Sequence, residues 1–331
     1  MPRPFASPSP TVIAIALPIL FPDNYYVTVV GVVAGTNAIL AVSLNLLMGY
    51  AGQISLGHAA FFGLGAYVSA ILTVHYSWNP WLAMLAGIAA TCSLAYVVAR
   101  PILKLKGHYL AMATLGLGII IHIFMVELKI TGGPDGMGDI PTLSIFGWEV
   151  DSDFRWYVVI MALLLIVLWV ALNLINSRSG RALRALHGSE VAAEMMGINT
   201  AATKTSVFVL AAGIASLAGS FFAHQQAFIS PGSFNFFFSI ELVVMVVLGG
   251  MASTYGAILG AVILTFLPEL LVVFEDYEVM IFGAILMVMM IFLPQGLFLG
   301  FQDLIRKFTH KKKQQNFDTP LDNEEEEHGV A

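Results

Sequence analysis

Charge is scarce in this sequence. Of its 331 residues, 11% are Asp, Glu, Lys or Arg and 58% are hydrophobic; soluble domains carry roughly 25% charged residues. The mean hydropathy is +0.84. So few charges cannot cover a soluble surface or keep a chain disordered in water, which excludes an ordinary soluble enzyme and a disordered chain. The net charge of -6 supplies no basic footprint for phosphates and excludes a nucleic-acid partner. There is one cysteine, Cys92, so no internal disulfide framework is possible. The catalytic motifs are missing as well. No G-x-x-x-x-G-K-[ST] loop is present to cradle ATP phosphates and no H-E-x-x-H pair to hold zinc. No G-x-S-x-G elbow occurs. The eight histidines are scattered without ligand spacing. No catalytic residue, metal or cofactor is therefore expected on this chain. Gly136-Met137-Gly138-Asp139 spells the G-x-G-D of intramembrane aspartyl proteases. That chemistry needs a second Asp to share a proton, and no Asp lies within an apolar run.

What is abundant is long apolar text. A membrane helix needs about 20 mostly apolar residues. Runs near 26–49, 57–74, 81–99, 108–126, 156–176, 205–225, 236–252, 254–274 and 279–300 approach or meet that length, with a shorter one at 11–21. The alternating ten-residue segments of a β-barrel do not occur. The expected fold is all-α: a polytopic membrane bundle of about ten helices, with eight as the lower bound. Residues 234–275 would make a single helix of about 63 Å at 1.5 Å per residue, so they are expected to cross twice with a turn at Gly249, Gly250 and Gly256. Residues 26–74 likewise break around Gly49-Tyr50-Ala51-Gly52. Residues 11–21 follow Arg3 as a signal core would, but no small-residue cleavage site follows, so a short retained helix is expected there.

The basic residues orient the bundle. With the N-terminus inside and ten crossings, only Lys129 and Arg155 of the 15 basic residues fall outside. Both termini are therefore expected in the cytoplasm. The outer loop 127–155 is acidic. Residues 1–301 read as the membrane domain and 302–331 as a polar tail. In that tail Lys311-Lys312-Lys313 suits anionic headgroups, and Glu324 to Glu327 reads as disordered.

Ionisable groups inside apolar spans tend to mark pathways. His58, next to a glycine-rich break, is the leading candidate, joined by Gln53 and Ser55 and, less directly, Glu241. Glu241 and Glu269 fall toward the outer half. Asn37 and Asn45 lie two turns apart on one helix face, where bonding to a neighbouring helix competes with a pathway role.

The inner loop 177–203 is more than a chain reversal. Arg181 to His187 reads as one short helix ending at Gly188. Ser189 can cap a second, Glu190 to Met196, which Gly197 stops. Arg181 and Arg184 share a face, and Val191, Met195 and Met196 offer an apolar knob. Such an element suits docking to a soluble partner.

Five blocks carry a resemblance. GRALRALHGSEVAAEMMGIN (180–199) resembles the cytoplasmic coupling loop of ABC-importer permeases. LNLLMGYAGQISLGHAAFFGLGAY (44–67), KGHYLAMATLGLG (106–118), ITGGPDGMGDIP (130–141) and SIELVVMVVLGGMASTYGAILGA (239–261) follow the branched-chain amino acid permease family, LivM type, over roughly 25–300. A urea permease subunit is the nearest alternative, and Gly49-Tyr50-Ala51-Gly52-Gln53 favours the amino acid branch. The resemblance implies a subunit of the bacterial inner membrane that pairs with a LivH-like second permease. Two ATPase subunits would bind all the ATP, and a periplasmic binding protein would deliver leucine, isoleucine or valine. It assigns Arg181, Arg184, Glu190, Glu194 and Gly197 to ATPase coupling. It assigns Gly132, Gly133, Asp135 and Gly136 to the outer loop that meets the binding protein. Where an acidic and then a basic residue are expected after the TLGLG block, this chain has Ile119 and His122, which opens a related amide or organic acid as substrate. The remaining rival is a stand-alone transporter driven by protons on Glu241, Glu269 or His58.

Overall fold

The computed structural model describes residues 25–145, 148–272, 277–292 and 296–297. The short run at 11–21 and the tail 302–331 lie outside the described residues. Each of the nine longer apolar runs forms a helix. They are α1 (Tyr25–Asn45), α2 (His58–Val74), α3 (Pro80–Ile102), α4 (His108–Glu127), α5 (Asp153–Asn176), α8 (Thr200–Gln226), α9 (Phe236–Gly249), α10 (Thr254–Leu271) and α11 (Glu278–Phe292). Between α5 and α8 the chain forms α6 (Arg178–Gly188) and α7 (Glu190–Met195). The expected all-helical bundle has one small addition, a two-residue hairpin in the outer loop, where β1 (Ser144–Ile145) pairs antiparallel with β2 (Trp148–Glu149).

Among the described residues, six helices are long and apolar enough to cross a membrane. α2 and α9, with 17 and 14 residues, reach only about 26 and 21 Å at 1.5 Å per residue, short of a core about 30 Å thick. Each lies beside a glycine-rich joint. α1 runs on into a π turn, Leu46–Tyr50, before the chain unwinds ahead of α2. α9 stops at Gly249, three residues before the expected end, because Gly250 takes φ +115°.

Side-chain exposure divides the bundle into a sheathed centre and a lipid-type periphery. α1 is buried along most of its length and packs against α5, α8, α9 and α10. α3, α4 and α5 instead present Leu82, Leu85 and Val97, Ile120 and Phe124, and Ile166 and Trp169 outward. In water such faces would aggregate; against acyl chains they cost nothing. Lipid also removes the hydrophobic drive for one helix to bury against another, so close approach and polar contacts must hold the bundle. α2 and α8 show both devices. A side chain at Gly65 would overlap the Ser216 carbonyl, and one at Gly219 the Phe62 carbonyl. Ser220 Oγ donates to the Gly65 carbonyl at 3.1 Å, and Thr91 Oγ1 of α3 donates to Ser216 Oγ at 3.0 Å.

Candidate functional site

The two glycine-rich joints meet. Asn45 reaches across to the turn between α9 and α10. Its Nδ2 donates to the Ser253 carbonyl, and its Oδ1 accepts from the Ala252 N–H, both at 3.0 Å. Tyr50 Oη lies 3.1 Å from Thr254 Oγ1. A side chain at Gly49 would overlap Asn45 Oδ1 and the Ala252 backbone, and one at Gly249 the Gly256 carbonyl. Asn37 Nδ2 donates to Thr265 Oγ1 on α10 at 2.9 Å. Asn37 thus bonds a neighbouring helix, and Asn45 the turn that precedes it.

Residues 52–57 have no regular structure, so their amides need partners from elsewhere. Leu56 N–H donates to Thr114 Oγ1 of α4, and Ala59 N–H to Ser239 Oγ of α9, both at 3.1 Å. Gly57 lies against the Thr114 carbonyl so closely that a side chain would overlap it, and its Cα sits 3.1 Å from where a Cβ on Gly118 would project. The unwound strand is clamped between α4 and α9.

A cavity of about 200 Å³ adjoins this clamp. Leu56 and Ala60 contribute to it from the break, Leu115, Gly118, Ile119 and His122 from α4, and residues 234–237 with Ser239 from the start of α9. At about 30 Å³ per water, it has room for roughly six or seven waters. His122 Nδ1 is buried there without a hydrogen bond. The two positions at which the sequence departs from its expected pattern, Ile119 and His122, both face this space.

None of the four expected pathway residues lines that cavity, though Gln53, Ser55 and His58 lie in or beside the break. His58 is fully buried, with Nε2 2.7 Å from Ser43 Oγ. Ser43 gives its hydroxyl proton to the Leu40 carbonyl at 2.8 Å, so His58 Nε2–H donates to Ser43. Nδ1 is then left as a bare acceptor with no partner. Ser55 Oγ and Gln53 Oε1 are likewise buried and unbonded. Gln53 Nε2 donates to the Ala51 carbonyl at 3.2 Å. Glu241 is half-buried on α9. Three orphaned polar groups within six residues are more than helix packing needs.

The inner loop forms the expected pair of capped helices. α6 begins three residues earlier than expected because Ser177 Oγ accepts from Gly180 N–H at 3.3 Å. Ser189 Oγ accepts from Ala192 N–H at 3.3 Å and starts α7. Gly197, at φ +79°, ends α7. Its N–H donates to the Glu194 carbonyl at 2.9 Å, and Ile198 N–H donates to the Ala193 carbonyl at 3.0 Å, the paired bonds of a Schellman stop.

Three of the loop's charged side chains bond within the chain, although Arg184 and Glu194 remain exposed. Arg184 donates to the Ile175 carbonyl at 3.1 Å, and Glu194 Oε1 accepts from Thr200 Oγ1 at 2.7 Å. Glu190 holds two lysines, Lys204 of α8 at 2.6 Å and Lys106, just ahead of α4, at 3.3 Å. Lys204 is only 2% exposed, and Glu190 is its ion-pair partner. Burial alone would raise the Glu190 pKa. The Lys204 and Lys106 ammoniums outweigh it and hold the carboxyl below its ordinary range. Also facing outward are Arg181 and an apolar knob, Val191, Met195 and Met196, at 62%, 85% and 83% exposure. The loop also touches the break: a side chain on Gly52 would come within 3.1 Å of His187 Nδ1.

The outer loop is tied down. Met137 and Ile229 exchange backbone hydrogen bonds of 2.8 and 2.9 Å. Gly136 sits where a side chain would overlap the Ile229 carbonyl, and Gly132 where one would overlap the carbonyl of Gly136. Gly133 is half-buried, and Asp135 and Asp139 are exposed. Buried His224, which the sequence gave no reason to select, anchors the loop: Nδ1–H donates to the Pro141 carbonyl at 2.7 Å, and Nε2 lies 2.9 Å from Ser69 Oγ.

A helix sheathed by its neighbours, lipid-type outer faces, an unwound strand clamped beside a cavity and a structured loop on one side define a multi-pass membrane protein. Over residues 26–293 the chain matches the family described as the permease component of the branched-chain amino acid transport system, and it belongs to that family. It is 36% identical over 284 residues to the high-affinity branched-chain amino acid transport system permease protein LivM of Salmonella typhimurium, covering 78% of this chain and 67% of the relative. It is 26% identical over 296 residues to the permease LivH of Escherichia coli, covering 81% and 92%. It is 27% identical over 266 residues to the ribose import permease RbsC of Escherichia coli, covering 76% and 80%. No solved structure matches it.

Proposed function

We propose that this chain is one of two permease subunits in an ATP-driven importer of the bacterial inner membrane. It would carry leucine, isoleucine or valine inward by alternating access. A LivH-like subunit completes the membrane part. Two ATPase subunits bind the nucleotide, and a periplasmic protein delivers substrate to the outer loop bearing Gly132, Gly133, Asp135 and Gly136. Both termini of the chain face the cytoplasm.

The observation that carries this reading is the placement of the α6–α7 element. Its outward surface is an apolar knob that water alone would not retain. Its inward surface is wired to the transport region by two routes. Glu190 grips Lys106 at the head of α4, and α4 lines the cavity. His187 abuts Gly52 in the break. A partner that seats Val191, Met195 and Met196 in a cleft and then moves would displace both walls of the cavity at once. Binding and hydrolysis elsewhere would thereby shift the balance between outward and inward states. Arg181 would meet the partner directly. Arg184, Glu190, Glu194 and Gly197 would hold the element in shape. The lining favours a small apolar side chain with a polar head: Leu115, Ile119, Phe236 and Phe237 for the former, His122, Asn235 and Ser239 for the latter.

The test is reconstitution of the chain with its partner subunits in liposomes and measurement of radiolabelled leucine uptake. ATP-dependent, vanadate-sensitive uptake that requires all subunits is expected. Uptake by the lone chain, collapsed by an uncoupler, would overturn the reading in favour of a proton-driven carrier. ATP-driven uptake of urea or an amide in preference to leucine would keep the importer and replace its substrate.

A further inference from the structure

A second hollow lies away from the site. A groove of about 1010 Å³ runs between α3 and the first half of α8. Its walls are largely apolar, with Ile88, Val209, Leu210 and Leu217 among them, and at one end stand Arg100 and Lys104. That end is where α3 finishes and α8 begins, the side that carries α6 and α7.

Among the described residues no anion pairs with the two cations. Arg100 is drawn over the Tyr96 ring, its guanidinium carbon 4.8 Å from the centroid, and donates to the Tyr96 hydroxyl. Tyr96 itself lines the groove, so the guanidinium is held over the mouth. Lys104 is exposed beside it. Among the described residues neither has an ion-pair partner, whereas the neighbouring Lys106 and Lys204 are both engaged by Glu190. The hollow therefore has an apolar trough and a dicationic rim, the polarity of an amphiphile with a negative head. An unpaired cation at a membrane boundary draws anionic headgroups, and an apolar trough in a bilayer takes acyl chains rather than water.

We propose that this groove is a binding site for an anionic phospholipid, with its phosphate between Arg100 and Lys104 and its chains along α3 and α8. The site stands apart from the cavity at the break and does not require the importer reading. α8 continues from the loop element into the packed centre of the bundle, so a lipid seated here braces the helix that carries Lys204.

The experiment is native mass spectrometry of the full chain in mild detergent, titrated with phosphatidylglycerol, with phosphatidylcholine of the same chains, and with inorganic phosphate. Phosphatidylglycerol should be retained in preference to phosphatidylcholine. Arg100→Gln and Lys104→Gln should each weaken retention on the order of fivefold. Ser206→Trp, at an exposed position on the groove wall, should abolish retention by filling the trough with both cations intact. Equal retention of the two lipids, retention unchanged in all three variants, or binding of inorganic phosphate to the same extent would each overturn the proposal. So would displacement of the lipid by an added second permease subunit, because the groove would then be a protein interface.

Discussion

Replacing Glu190 with Gln should destabilise the chain far more than its position in a surface loop suggests. Glu190 bridges three elements, and its two lysines differ in exposure. The side chain of Lys204 is 3% exposed and that of Lys106 is 66% exposed. The pair with Lys106 resembles a surface ion pair, worth about 0–1 kcal/mol. The pair with Lys204 does not, because removing the carboxylate strands an ammonium that water cannot reach; leaving one partner of a buried pair uncompensated costs about 3–5 kcal/mol. Glu190→Gln should therefore lose about 3–5 kcal/mol, Lys106→Ala no more than about 1 kcal/mol, and Glu190→Gln with Lys204→Met should recover most of the first loss. The assay is denaturant unfolding of the purified chain in detergent micelles, comparing midpoints at constant slope. The pH dependence has a definite sign. The native Glu190 carboxyl titrates below its unfolded value of about 4.5. Its contribution is thus complete above that value and drains away as the pH falls through the native one. A Glu190→Gln variant within about 1 kcal/mol of the parent, or one as steep as the parent in acid, would refute the argument.

Three further results should follow. Met195→Glu with Met196→Glu, at exposed positions, should leave stability within about 0.5 kcal/mol while ATP hydrolysis by the assembled transporter loses its link to uptake; both rates are read in the same liposomes. Gly57→Ala should cost more than Gly197→Ala, because a side chain at Gly57 overlaps the Thr114 carbonyl, whereas Gly197 has nothing within 4 Å of a Cβ and only its φ of +79° to maintain. The Gly197 change should cost about 1–2 kcal/mol, and unfolding midpoints rank the two. His122→Ala should alter substrate affinity with little change in stability. His58→Ala should instead lose about 2 kcal/mol or more, from a broken buried hydrogen bond and the cavity left behind. Equilibrium binding alongside thermal unfolding separates the two histidines.

The helices were legible because lipid demands them. A run of about 20 apolar residues has few other solutions in a membrane, and each of the nine long runs holds a helix. The loop caps were legible for the same local reason, since Ser189 and Gly197 act on residues two or three away. Long-range matters were hidden. The break around Gly49-Tyr50-Ala51-Gly52 was legible, but the π turn that leads into it over Leu46–Tyr50 was not; there Gly49 packs against Asn45 and the Ala252 backbone of the other joint. Glu190 read as a dipole-stabilising residue in a first turn; its bond to Lys204, fourteen residues on, depends on α7 folding back onto α8, which no helical periodicity encodes. His122 drew notice only as a departure from pattern. Ser239 and Phe236 passed as apolar span, although with His122 they enclose the cavity.

The sheathing of α1 bears on how the protein is made. α1 is the first of the described helices to leave the ribosome, and it finishes with almost no face toward lipid. Its buried asparagines find their partners far along the chain: Asn37 pairs with a residue 228 positions later, and Asn45 with residues 207 and 208 positions later. Until α10 has been synthesised, those amides have neither water nor their native acceptors. The nascent chain must keep α1 beside the insertion machinery, or pair it with a stand-in, through the insertion of α2 to α9. Nascent chains stalled before Thr254 should thus remain close to that machinery, and those stalled beyond Leu271 should move away from it.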